Sequence, residues 1–137
     1  MYTDEIKRLC NNYLDKIIEL RRQFHMYPEL GQKEFKTAKT VADELRKLNI
    51  EVTENVMETG VVGILKGKYP GKTVLLRADM DALPIQEKAD IPYKSRIDGV
   101  MHACGHDAHM TILMGAAKIL NSIKSTLKGN VKLLFEP

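Results

Sequence analysis

The hydrophobic period of this chain changes along its length, and those changes restrict the folds open to it more than any single residue does. Ile6, Leu9, Cys10, Tyr13, Ile17, Leu20 and Phe24 recur at three- and four-residue steps, the mark of one apolar stripe on a helix. Thr3 is placed to cap that helix, Asp4 and Glu5 fall in its first turn, and Pro28 ends it. Cys10 lies on the stripe and is expected to be buried, as free cysteines usually are. After Pro28 and Gly31, a second helical stripe runs through Ala38, Val41, Ala42, Leu45 and Leu48, with Asn49 as its stop.

The period then shortens. Ile50, Val52 and Val56 alternate with polar residues, and Val61 to Leu65 and Thr73 to Ala78 are short β-branched or apolar runs. Gly60, Gly67 and Pro70-Gly71 separate them, which gives three strands joined by turns. The third, T-V-L-L-R-A, is apolar at successive positions, the pattern of a strand covered on both faces. Residues Leu83 to Val100 form a long irregular loop, a kind of segment that usually carries function. Ile112, Leu113, Ala116, Ile119, Leu120 and Ile123 mark a third helix starting near His109, and Gly129-Asn130 turns the chain into a fourth strand, Val131 to Phe135. The expected fold is therefore α/β, a mixed sheet flanked by helices.

With 137 residues the chain is the size of one domain or a piece of one. Its 44% hydrophobic and 28% charged residues are those of a globular protein. The net charge of +3 comes from scattered lysines with no basic run and no interleaved aromatics, so nucleic acid is not an expected partner. No apolar run approaches the roughly 18 residues needed to span a bilayer, and the N-terminus has no apolar signal region; no membrane association and a cytoplasmic location are expected. The two cysteines, far apart and one of them among histidines, suit a reduced compartment and a thiol used as a ligand. A Cys10–Cys104 disulfide is the alternative. A redox role is disfavoured by the lack of a C-x-x-C pair.

The chemistry concentrates in Met101 to Met110, M-H-A-C-G-H-D-A-H-M, which holds three of the four histidines, one of the two cysteines and an aspartate. Cys104 and His106, with only Gly105 between them, can converge on one centre and are the expected metal ligands. His102, Asp107 and His109 are candidates for further ligands, substrate contacts or partners that hold a ligand in place. The cluster sits at or just before a helix N-terminus, where the dipole favours thiolate. Asp79 and Asp81 follow the third strand, at the strand end where α/β folds gather their chemistry. Read as alternating across an extended segment, only one of them is expected to face the metal. His25, beside Pro28 and Glu29, is expected to be a structural hydrogen-bonding histidine.

Three strings, R-A-D-M-D-A-L-P (77–84), M-H-A-C-G-H-D-A-H (101–109) and R-R-Q-F-H-M-Y-P-E-L-G (21–31), together resemble the amidohydrolase branch of the aminoacylase and carboxypeptidase metallopeptidases. That branch holds hippurate hydrolases, N-acyl-amino-acid amidohydrolases, indole-acetyl-amino-acid hydrolases and N-acetyl-diaminopimelate deacetylases. The resemblance implies that Cys104 bridges two divalent ions (Zn, Mn, Co or Ni), that His106 binds one of them, and that Asp79 and Asp81 are an active-site pair supporting the centre. It implies hydrolysis of the amide bond of a small N-acyl amino acid by a metal-activated water. Family members are nearly three times as long, with an inserted lid-like dimerisation domain, and the whole protein is expected to be a homo-oligomer. In them the strand matching Val131–Pro137 leads into a glutamate pair that supplies the general base and a ligand, and Glu136 matches the residue just before that pair. Residues 1–137 are accordingly expected to be the N-terminal portion of a zinc-peptidase-like catalytic domain, inactive alone. A non-catalytic metal-binding or interaction module is the competing class.

Overall fold

The computed structural model describes residues 2–137. Three helices, α1 (Tyr2–Met26), α2 (Phe35–Lys47) and α3 (His106–Ser122), pack on a four-stranded sheet of β1 (Glu51–Val56), β2 (Gly60–Lys66), β3 (Tyr69–Asp79) and β4 (Lys128–Glu136). The strand order is β1-β2-β4-β3. β1 with β2 and β2 with β4 are antiparallel, while β3 and β4 run parallel and are joined through α3. That crossover places the end of β3 and the start of α3 side by side, as parallel β-α-β connections do. The mixed α/β class expected from the sequence is what forms.

One core holds the layers together. Val41, Ala42 and Leu45 of α2, Val61 and Leu65 of β2, Leu133 and Phe135 of β4, and Met110 and Met114 of α3 are all essentially inaccessible to solvent. The start of α2 shows how local chemistry fixes this packing. Its N-cap residue Glu34 makes no side-chain cap bond. Instead Glu29, five residues earlier, accepts hydrogen bonds from the Thr37 N–H at 2.7 Å and the Lys36 N–H at 3.1 Å, satisfying two of the free donors of a helix start. Asn49, at φ 55°, stops α2 as the sequence suggested.

Five expectations need correction. Thr3 lies inside α1 and does not cap it. Along the α1 stripe only Leu9, Leu20 and Phe24 are buried, and Cys10 is exposed. α1 has 25 residues and α3 17, about 37 Å against about 25 Å. The two run antiparallel, with Tyr13 hydrogen-bonded to Ser122 and Arg21 paired with Asp107, so the turns holding Ile6 and Cys10 extend past the end of α3. β3 is an edge strand rather than one covered on both faces, and Val74 and Leu75 are 55% and 54% exposed. Pro70-Gly71 lies within β3, in a register shift between Tyr69 and Thr73, where a side chain at Gly71 would strike the Gly129 backbone. Finally, α3 starts at His106, three residues earlier than its apolar pattern suggests, because Gly105 at φ 97° turns the chain into the helix there.

Both cysteines are free, so the disulfide alternative is not formed. Residues between Leu83 and Val100 contain no helix or strand, in keeping with the long loop expected. Among the described residues no helix is long and apolar enough to cross a membrane.

Candidate metal centre

Asp79 is the last residue of β3, paired in register with Glu136 of β4. The Met80 N–H donates to the Glu136 carbonyl at 2.9 Å and its side chain is fully buried. The Ala82 N–H donates to the Glu29 carbonyl at 2.8 Å. The D-M-D segment is thus held as an extended continuation of the strand. In such a segment residues i and i+2 share a face, so with Met80 turned into the core both acids point toward α3. Both acids reach His106, but of the two only Asp79 belongs to the candidate ligand group, while Asp81 contacts the imidazole from its other nitrogen.

His106, the first residue of α3, receives both. Its Nδ1 lies 2.8 Å from Asp81 Oδ1 and 3.0 Å from the Asp81 carbonyl oxygen. Two acceptors at one nitrogen fix Nδ1 as the donor and leave Nε2 with its lone pair, 3.8 Å from Asp79 Oδ2. A carboxylate on the far nitrogen of an imidazole is the arrangement by which metal-binding histidines are oriented. His109 stands one turn along the same helix face, its ring 5.6 Å from that of His106. Ligand atoms of Asp79, His106 and His109 all lie within 4.8 Å of one another. Two imidazoles and a carboxylate are a fitting donor set for a zinc-like divalent ion with an open coordination position. Asp79 and His109 border a groove of about 500 Å³ between β3 and α3.

The remaining candidates separate from this group. Cys104 is exposed on the loop and is not part of the cluster. His102 is 4% exposed and neither ring nitrogen has a partner. Burial pushes its pKa down to about 4, aided by the charges of His25 and His106 and opposed by Asp107 and Asp81. Asp107 is fully buried and faces away from the cluster, accepting from Arg21 Nε at 2.9 Å, His25 Nδ1 at 2.7 Å and the Ala108 N–H at 2.9 Å. Arg77 bridges Asp79 and Glu136. Its guanidinium holds the Glu136 carboxyl below the usual carboxylate range, which makes Glu136 a poor proton acceptor.

Sequence reasoning placed His25 correctly as a hydrogen-bonding residue but missed its partner on the loop, Glu87. Glu87 is 2% exposed and accepts from His25 Nε2 at 2.9 Å. Burial alone would raise its pKa, but the bonds from His25 and the Ser95 N–H, with the charges of His25 and Lys94, bring it below the ordinary value. A lone glutamate in a polar loop carries no signal that separates it from its exposed neighbours.

The sequence and this fold have known counterparts. Residues 75–137 match the model of Peptidase family M20/M25/M40. Thermostable carboxypeptidase 1 of Saccharolobus solfataricus is 50% identical over 135 residues, covering 98% of this chain and 34% of that protein. N-acetyl-L-cysteine deacetylase of Bacillus subtilis is 43% identical over 122 residues, covering 89% and 29%. The crystal structure of the Bacillus subtilis YXEP protein, described as a dinuclear metal binding peptidase of the M20 family, superimposes with a TM-score of 0.88 at 40% identity, covering 93% of this chain and 36% of that one. The chain spans about a third of the length of the curated relatives it matches.

Proposed function

We propose, from the premise that this chain is a relative of the peptidases and amidohydrolases of family M20/M25/M40, that it supplies one side of a metal-dependent hydrolase of N-acyl amino acids. The observation that carries this reading is the convergence of Asp79, His106 and His109 with His106 oriented by Asp81. His106 would hold a divalent ion together with Asp79 and His109, and Cys104, on the loop outside that cluster, would add a thiolate ligand. A divalent ion held there supplies Lewis acidity toward an amide carbonyl and lowers the pKa of an attacking water.

The residues of this chain have distinct parts in that reaction. Asp81 keeps the His106 tautomer and ring direction fixed. Asp79 presents one oxygen to the cluster while Arg77 holds the other at 2.7 Å. The groove along β3 and α3, with Leu76, Ile112 and Leu113 in its walls, offers an apolar bed for the acyl or side-chain part of a substrate. Glu136, held low by Arg77, is not the base that takes the water's proton. The 137 residues alone are therefore proposed to bind metal without turning over substrate, as part of a larger catalytic domain.

A replacement experiment tests the reading. These residues are exchanged for the matching 135 in the Saccharolobus solfataricus carboxypeptidase, and amine release from N-acetyl and N-benzoyl amino acids is measured. Metal-dependent turnover that is lost on His106→Ala supports the assignment. A folded, metal-loaded chimera that hydrolyses no N-acyl amino acid overturns it, and turnover by the isolated 137 residues refutes their proposed inactivity.

A further inference from the structure

The acid next to the candidate ligand is tied to the long loop through a single imidazole. Asp107 follows His106 and precedes His109 by two residues, and its Oδ1 accepts the Ala108 N–H at 2.9 Å within the first turn of α3. Its Oδ2 accepts from His25 Nδ1 at 2.7 Å and Arg21 Nε at 2.9 Å, both on the last turns of α1. The other nitrogen of His25 faces Glu87 Oε1 at 2.9 Å. Glu87 Oε2 in turn accepts the Ser95 N–H at 2.6 Å, and Ser95 Oγ donates to the Val100 carbonyl at 2.7 Å. Tyr93 packs edge-on against His25. The loop spanning 83–100 is therefore anchored on α1, and α1 on the first turn of α3, through one buried line of groups, Glu87–His25–Asp107.

We propose that Glu87 and His25 are positioning residues for the metal centre, setting through Asp107 the pitch of the α3 turn that aims His106 and His109. The inference rests on the proposed metal-binding role of those histidines. A simple packing role accounts poorly for the arrangement. Charged groups sunk this deep generally add less stability than apolar side chains of the same volume, and Asp107, His25 and Glu87 are 0%, 3% and 2% exposed. What the chain of hydrogen bonds adds is direction, because each link fixes an angle as well as a distance. Rotation of the α3 turn moves both imidazoles together, so the loop and the metal site are mechanically coupled.

The test uses the 137-residue chain with Co²⁺ as the probe and two variants. Glu87→Gln removes the charge at constant shape, and Glu87→Met fills the same space with an apolar side chain. Three quantities are measured: Co²⁺ affinity, the visible spectrum of the bound ion, and amide hydrogen exchange at Ala108 and His109, whose N–H groups bond the Gly105 carbonyl. Both variants are expected to bind Co²⁺ about 10-fold or more weakly, to shift the spectrum, and to exchange faster at those two amides than in the parent. A packing plug predicts the opposite for Glu87→Met: parental affinity, spectrum and exchange. That result overturns the proposal, as does unchanged affinity and exchange in a folded Glu87→Gln. If the parent chain binds no Co²⁺, it is the metal-site reading that fails. The exchange rates at Ala108 and His109 then still decide whether Glu87 sets the turn.

Discussion

His102 makes the stability of this protein depend on pH between about 4 and 6.5. The imidazole is 4% exposed, has no hydrogen-bond partner at either nitrogen, and is held at a pKa of about 4 by burial. In the unfolded chain it titrates near 6.5. Between those values the unfolded state takes up a proton that the folded state refuses. The unfolded state therefore binds more protons and stability falls as pH falls. The contribution is fully present above about pH 6.5 and is lost progressively down to about pH 4. At about 1.4 kcal/mol per pH unit, the loss is about 2 kcal/mol between pH 7.5 and pH 5, and about 3 kcal/mol by pH 4. For a domain near this size, about 2 kcal/mol corresponds to a fall of about 4–8 °C in Tm.

The assay is a pair of urea titrations, at pH 7.5 and pH 5 in chelator, on the parent and on His102→Leu. Leucine removes the two unpartnered nitrogens and cannot titrate, so the variant is expected to be close to the parent at the higher pH. At the lower pH the other ionisable groups act in both proteins, and the variant should be the more stable by about 2 kcal/mol. Parallel profiles, with the difference between the two proteins the same at both pH values, would refute the reasoning. That outcome would mean that the folded protein protonates His102 as readily as the unfolded chain does.

Three further outcomes are expected. Asp81→Asn should weaken divalent-metal binding about 10- to 100-fold in a titration calorimeter, because His106 loses the carboxylate that orients it at 2.8 Å; binding within twofold of the parent would count against the assigned tautomer. Both cysteines are exposed and free, so both should alkylate in chelator. Added Zn²⁺ should protect Cys104 and leave Cys10 reactive, as read by mass spectrometry, whereas equal labelling of the two in Zn²⁺ would remove Cys104 from the centre. Phe135→Ala, at a fully buried position of β4, should cost about 3–5 kcal/mol in denaturant titrations, and a loss under 1 kcal/mol would show a core that collapses around the vacancy.

The helices, the element order α-α-β-β-β-α-β and the two chemical strings could be read from the sequence because each rests on local periodicity or on residue types that packing does not explain. Burial could not be read the same way. Val74 and Leu75 look like core residues in one dimension, yet β3 stands at the sheet edge, and strand order is a property of non-local pairing. Cys10 continues a perfect helical stripe, but the helix is longer than the partner beneath it. The site divides along the same line. Asp79, Asp81 and His106 were visible as motif residues, whereas Glu87 entered only when folding brought it 62 positions back to His25.

The D-M-D string shows why a motif can be noticed and still be misjudged. Its two acids serve one imidazole from opposite nitrogens, Asp81 at Nδ1 and Asp79 toward Nε2. That is possible only because Met80 is driven into the core between them, at 0% exposure. The apolar residue is thus part of the site's geometry. A polar side chain at position 80 would favour rotation of the segment out of the core and carry both carboxylates off His106 together. In the same way Asp107, singled out as a candidate ligand, serves the cluster with its back turned, through α1 and the loop. The functional weight of a residue in H-A-C-G-H-D-A-H follows from the face of α3 on which its side chain lies: His106 and His109 converge with Asp79 of β3, and Asp107, one position on from His106, faces the interior.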